Sequence, residues 1–135
     1  MIRVVLDTNV LVSALWTPAG NASTIVALIL TDKIFPCFDY AIMEEYRAVL
    51  SRPRLAFSSG DVETLLAEIA SRGLSVTVSP STIKLPDEAD RKFYDVATFC
   101  EAYLITGNAK HYPKVPNVVN PAQFLALASR KGGEQ

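Results

Sequence analysis

Ile2-Arg3-Val4-Val5-Leu6-Asp7-Thr8-Asn9 decides the fold. Val4, Val5 and Leu6 run together, stop at a carboxylate and give way to small polar residues. An apolar run without polar alternation suits a strand covered on both faces, as in the middle of a parallel sheet. In open α/β sheets, ligands bind just beyond the carboxyl ends of the strands. Asp7 stands at that point. A carboxylate directly after a buried strand needs a cation or several hydrogen-bond donors. Asp7 is therefore read as the first member of an acidic metal site.

Outward from this stretch, the chain alternates helix and strand. A short helix starts near Asn9, with Thr8 or Asn9 as cap, and ends before the break Thr17-Pro18-Ala19-Gly20-Asn21. Ala22–Thr31 is a second helix, and Ile34–Phe38 a strand in which Pro36 implies an edge or a bulge. Tyr40–Ser51 is amphipathic through Ile42, Met43, Tyr46, Val49 and Leu50. Ser58–Asp61 caps a helix carried by Val62, Leu65, Leu66 and Ile69, which stops at Gly73. Ser75–Ser79 reads as a strand, Pro80–Asp90 as a loop and Asp90–Glu101 as a helix. Tyr103–Thr106 is a second buried strand, Val118-Val119 a short one, and Pro121 opens a last helix through about Ala128. The pattern predicts an α/β/α sandwich, three layers around a mostly parallel sheet, Rossmann-like in build. Residues 1–129 form a single domain and Arg130–Gln135 a frayed tail.

With a net charge of −1, bulk electrostatics cannot drive nucleic-acid binding, so a local basic patch or a bound cation would have to. The two cysteines, Cys37 and Cys100, read as buried free thiols in a reducing compartment. No signal peptide is visible, and the apolar run Ile25–Leu30 is far too short to span a membrane, which predicts a soluble, cytoplasmic protein. Nucleotide-cofactor motifs are absent, and the one histidine, His111, gives no basis for a histidine triad or a zinc site.

Helical position sorts the fourteen acids. Adjacent helical residues point about 100° apart. Glu45 falls at the edge of the buried stripe, as a metal ligand or as the partner of an arginine, whereas Glu44 points to solvent. Asp90 lies near the apolar side at a helix start, as a ligand or simply as a cap. Asp95 falls opposite the stripe and reads as solvent-facing; Asp87 and Glu88 are loop charges. Asn108 follows the second buried strand as Asp7 follows the first, and can ligate a cation or merely serve the turn. Three carboxylates among oxygen-bearing neighbours suit Mg²⁺ or Mn²⁺.

These residues together resemble the PIN-domain family. The resemblance rests on Val5–Ser13, on Glu45–Leu50, on Asp90–Tyr94 and on Leu104–Asn108, in that order and over nearly the whole chain. It implies a metal-dependent ribonuclease, similar to the VapC-like toxins of toxin–antitoxin pairs. It implies Asp7, Glu45 and Asp90 as the catalytic acids, with Asn108 as a further metal ligand where the family often has aspartate. It implies supporting roles for Thr8, Asn9, Ser13 and Thr106. RNA is then the substrate, Mg²⁺ or Mn²⁺ the cofactor, and an antitoxin protein a partner. Trp16 and the Ile25–Leu30 helix leave apolar surface for a homodimer.

A phosphodiester and three carboxylates repel one another until a divalent ion neutralises the pocket. Arg47, Arg91, Lys92 and Lys110, with Arg52, Arg54, His111 and Lys114, are the basic residues near these motifs that can hold flanking phosphates. Competing readings are a HAD-like phosphatase, which would want a second aspartate where Asn9 stands, a receiver-like phosphoacceptor, and a PIN fold kept only as an RNA- or protein-binding module.

Overall fold

The computed structural model describes residues 1–133. Its elements are β1 (Arg3–Leu6), α1 (Thr8–Trp16), α2 (Asn21–Leu30), β2 (Phe35–Phe38), α3 (Tyr40–Leu50), α4 (Ser59–Arg72), β3 (Leu74–Ser75), α5 (Arg91–Cys100), β4 (Tyr103–Ile105), β5 (Val118–Val119) and α6 (Pro121–Gly133). The strands form one sheet in the order β3-β2-β1-β4-β5, with every pairing parallel. The chain winds outward from β1 to β2 and β3, then crosses back to β4 on the other side. Right-handed crossovers place the helices feeding β2 and β3 on one face, and α5, which runs the other way, on the opposite face. The expected sandwich is present, and its sheet is parallel throughout.

Sequence accounts for the elements locally. Val4, Val5 and Leu6 are buried on both faces, as an unbroken apolar strand requires. Asp39 Oδ1 accepts the Ile42 N–H at 2.8 Å to start α3, and Ser58 Oγ accepts the Asp61 N–H at 3.0 Å to start α4. Asn120 and Gln123 exchange side-chain and backbone hydrogen bonds, both 2.8 Å, in a reciprocal cap ahead of α6. At Gly73, a Cβ would come within 2.5 Å of the Pro36 carbonyl oxygen, so α4 can stop against β2 only where no side chain intervenes.

Several expectations are corrected. Pro36 lies in β2, an inner strand, not an edge. The ladder to β3 begins only at Cys37, and the Phe35 N–H donates to Ile2, so the Pro36 nitrogen faces a side with no partner strand beside it. Ser75–Ser79 contributes only Ser75 to a strand. The final helix runs past Ala128 to Gly133, so Arg130–Gly133 is helical, while residues 134 and 135 lie outside the described residues. In α2, Ile25 and Ile29 are fully buried, Val26 and Leu28 are half-buried, and Ala27 and Leu30 are exposed. Cys37 and Cys100 are buried free thiols, and burial pushes the Cys37 thiol up to about 12. No single helix among the described residues is long and apolar enough to cross a membrane.

Candidate active site

Strand order reverses at β1, whose neighbours β2 and β4 are reached in opposite directions. That makes the carboxyl ends of β1 and β4 the topological switch point. The register pairs Leu6 with Ile105, and the Asp7 N–H donates to the Ile105 carbonyl at 2.9 Å. Asp7 and Thr106 are therefore side by side. Asp7 occupies the cap position of α1, but its carboxylate does not cap, and neither Thr8 nor Asn9 does. Thr106 Oγ1, wholly buried, donates to Asp7 Oδ2 at 2.8 Å, and the Tyr112 hydroxyl donates to the same oxygen at 3.0 Å.

Asp7 is 7 % exposed, and burial raises its pKa above the ordinary carboxylate value. The Thr106 and Tyr112 hydroxyls oppose that shift, and the Glu45 charge adds to it. Burial, with the Asp7 charge next, holds the Tyr112 phenol far above its ordinary range, so it stays protonated as a donor. Tyr112 gave no sequence signal, lying in a turn without periodicity.

Glu45 enters from α3. Tyr46, beside it, is fully buried and donates from its hydroxyl to the Leu6 carbonyl at 2.6 Å, pinning α3 to the end of β1. The Thr8 hydroxyl donates to Glu45 Oε2, and the Lys92 ammonium lies 2.8 Å from Oε1. Of the two readings of Glu45, the ion-pair one would have had an arginine as partner; the partner present is a lysine. Glu44 is exposed as expected, and Arg47 turns to Glu44 and Glu63.

Asp90 closes a single 3₁₀ turn, Glu88–Asp90, at the entry to α5. A crossover helix runs opposite to its strands, so this end lies at the sheet's carboxyl edge. Asp90 does not cap α5. Its Oδ2 is buried without a hydrogen-bond partner; His111 Nδ1 stands 3.3 Å away, outside hydrogen-bonding geometry. Burial first, then the charges of Asp7 and Asp87, raise its pKa, and the nearby His111 ring opposes them. In kind, these carboxylate oxygens are the donors a hard divalent cation takes. As placed, no three acidic, histidine or cysteine groups among the described residues converge tightly enough to share an ion.

Other expected residues divide. Asn9 Oδ1 accepts the Gly107 N–H at 3.2 Å, tying α1 to the turn after β4. The Asn108 N–H donates to Thr106 Oγ1 at 2.9 Å, but its side chain is exposed and makes no hydrogen bond. Ser13 is exposed on α1, away from the carboxylates' hydrogen bonds. Arg91 binds Glu88 and Ser81, so it ties down the loop, and Lys110 is exposed. Asp95 is not solvent-facing: it is 8 % exposed, and its Oδ2 accepts the Ser81 N–H at 2.9 Å. A larger cavity, about 630 Å³, opens at the opposite sheet edge between Arg3, Tyr94, Tyr103 and Lys131, and none of the three carboxylates lines it.

Comparison with known proteins agrees with this geometry. The PIN domain profile matches residues 3–110, a span that holds Asp7, Glu45, Asp90 and Asn108 and stops just before Tyr112. Uncharacterized protein MJ1680 of Methanocaldococcus jannaschii is 36 % identical over 110 residues, covering 79 % of this chain and 71 % of that protein. No solved structure matches significantly. The chain belongs to the PIN domain family, whose members are generally nucleases that use divalent metal ions.

Proposed function

We propose that the protein is a Mg²⁺- or Mn²⁺-dependent endoribonuclease hydrolysing phosphodiester bonds of single-stranded RNA. The observation that carries this reading is the switch-point cluster. Carboxylates from three separate segments meet there: the Glu45 charge helps raise the pKa of Asp7, the Asp7 charge helps raise that of Asp90, and Asp90 keeps a buried oxygen that accepts no hydrogen bond. Such clusters of perturbed acids mark functional sites.

In this reading Asp7 and Asp90 hold the ion, with Glu45 beside them and Asn108 as an outer ligand. The divalent ion, when bound, supplies Lewis-acid charge at the scissile phosphate. Thr106 and Tyr112 fix the Asp7 carboxylate by its Oδ2. Thr8 and Lys92 fix Glu45 and neutralise part of its charge against the incoming phosphate. The phosphatase alternative falls with the family assignment and with Asn9, whose side chain is engaged by the Gly107 backbone.

Cleavage of a pooled single-stranded RNA tests the reading. Wild type should cleave with Mg²⁺ or Mn²⁺ and stop in EDTA, and Asp7→Asn and Asp90→Asn should be inactive yet folded. Cleavage undiminished in EDTA would sink the proposal; RNA binding with no cleavage would leave a binding module. The same reading extends to a toxin role with a cognate antitoxin and to a homodimer. Its support is the resemblance of the Asp7, Glu45 and Asp90 motifs to those of VapC-like family members. A neighbouring gene product that co-purifies and silences cleavage is its test.

A further inference from the structure

Beside the carboxylates lies an open groove of about 500 Å³, lined by α1, the end of α3 and the turn that follows. Thr8 and Asn9, the two residues after Asp7, line one end, so the groove begins next to the candidate active site, although none of the three carboxylates lines it. Trp16 lies at the other end of α1, about 12 Å along the helix at 1.5 Å per residue. Arg52 and Arg54 stand on the facing wall.

A lone exposed apolar residue needs no explanation. Trp16, however, is 62 % exposed and held in place: Phe57 meets its ring edge-on, with centroids 6.2 Å apart. Arg52 and Arg54 are exposed and have no ion-pair partner among the described residues. Arg47, Arg91 and Lys92, closer in sequence to the catalytic motifs, are all engaged by carboxylates. In a chain of net charge −1, two guanidinium groups without a carboxylate partner stand beside a fixed, open indole, a local basic and aromatic surface.

We propose that this groove is the substrate path of the nuclease: Trp16 stacks a base of single-stranded RNA, and Arg52 and Arg54 hold the phosphates that flank it. Every base has a face to stack, so the contact tolerates sequence, and the arginines track the backbone. An acidic peptide would satisfy the arginines but would leave the indole face without a planar partner. The assignment rests on the ribonuclease reading for what happens at the carboxylates, and on the groove alone for binding.

Trp16 is the only tryptophan in the chain, so its fluorescence reports on this groove directly. The full chain is titrated in EDTA, where no cleavage occurs, with a short random-sequence oligoribonucleotide and with polyglutamate. The oligoribonucleotide should quench Trp16 saturably, and polyglutamate should not. By anisotropy of the labelled oligonucleotide, Trp16→Ala should weaken binding about tenfold, with Trp16→Phe retaining part of it. Arg52→Ala and Arg54→Ala should each flatten the slope of log Kd against log salt by roughly 0.7. Absence of quenching by RNA, wild-type binding by these variants, or quenching by polyglutamate instead overturns the substrate path. So does a Trp16→Ala protein whose only change is loss of self-association. Cleavage that persists without the groove contacts overturns the path and leaves the nuclease standing; groove binding without cleavage does the reverse.

Discussion

Tyr112→Phe removes one hydroxyl and keeps the ring that fills its site. That hydroxyl is 3.0 Å from Asp7 Oδ2, and the residue is 4 % exposed, so no water can take its place. A hydrogen bond to an ionised group contributes about 1.5–3 kcal/mol, and one between neutral groups about 0.5–1.5 kcal/mol. With Thr106 as the remaining side-chain donor, the ionised form of Asp7 becomes less favourable and its raised pKa moves up further. For 135 residues the unfolding entropy is about 0.28 kcal/mol/K, so at neutral pH the melting temperature should fall by about 5–10 °C. Once Asp7 is protonated at acid pH, the loss should shrink to about half or less. Metal affinity should drop roughly 10–100-fold, as when a group orienting a ligand is lost. Thermal melts at both pH values and isothermal titration with Mn²⁺ read these effects. An equal fall in melting temperature at both pH values, with unchanged Mn²⁺ affinity, would mean that Tyr112 only packs, and would refute the reasoning.

The acids also set a pH signature. Asp7 and Asp90 both have raised pKa values, so the folded protein holds their protons more tightly than the unfolded chain does. Stability from these groups is full below the ordinary value of 3.8 and is lost as pH rises through the raised values. Metal-free protein should therefore melt lower as pH rises through that window, and Mg²⁺ at neutral pH should restore the difference; melting curves that ignore Mg²⁺ would contradict this. Lys92→Met should enlarge the Mg²⁺-induced rise in melting temperature, because Glu45 loses the ammonium 2.8 Å away and presses on Asp7 unopposed. An unchanged rise would separate Lys92 from the metal. Asp95→Ala should cost about 0.5–1.5 kcal/mol through loss of its hydrogen bond from the exposed Ser81 N–H, with cleavage untouched; loss of Mn²⁺ affinity in that variant would place Asp95 at the metal site.

What was legible in the sequence was whatever has a local cause. An apolar run ending in an acid is a property of consecutive residues, and it located Asp7 and the strand behind it. The roughly 100° step of a helix separated Glu45 from Glu44 because burial of one face is decided within two turns. Asp95 was misread for the converse reason. Its own helix does bury another face, but the loop after β3 folds back over it and brings the Ser81 N–H to its carboxylate. Tyr112 was invisible because its burial depends on how the turn after β4 packs against Asp7, residues far apart in the chain. The cation beside Glu45 is Lys92, where the ion-pair alternative named an arginine, and no spacing rule covers its distance in sequence.

The three carboxylates are stabilised in three different ways, and the difference ranks them. Asp7 receives two hydroxyl donors on one oxygen, a fixed and nearly dry arrangement that orients it whether or not an ion is bound. Glu45 has Thr8 and a lysine, so its charge is already balanced. Asp90 has a buried oxygen that accepts no hydrogen bond and only His111 Nδ1 near it, 3.3 Å away; burial and the Asp7 and Asp87 charges raise its pKa more than His111 lowers it. A buried carboxylate oxygen that accepts no hydrogen bond is under-satisfied, and a cation would satisfy it. Of the three, Asp90 gains most from a cation and Glu45 least. If the site is built for an ion, Asp90→Asn should therefore weaken Mn²⁺ binding more than Glu45→Gln does.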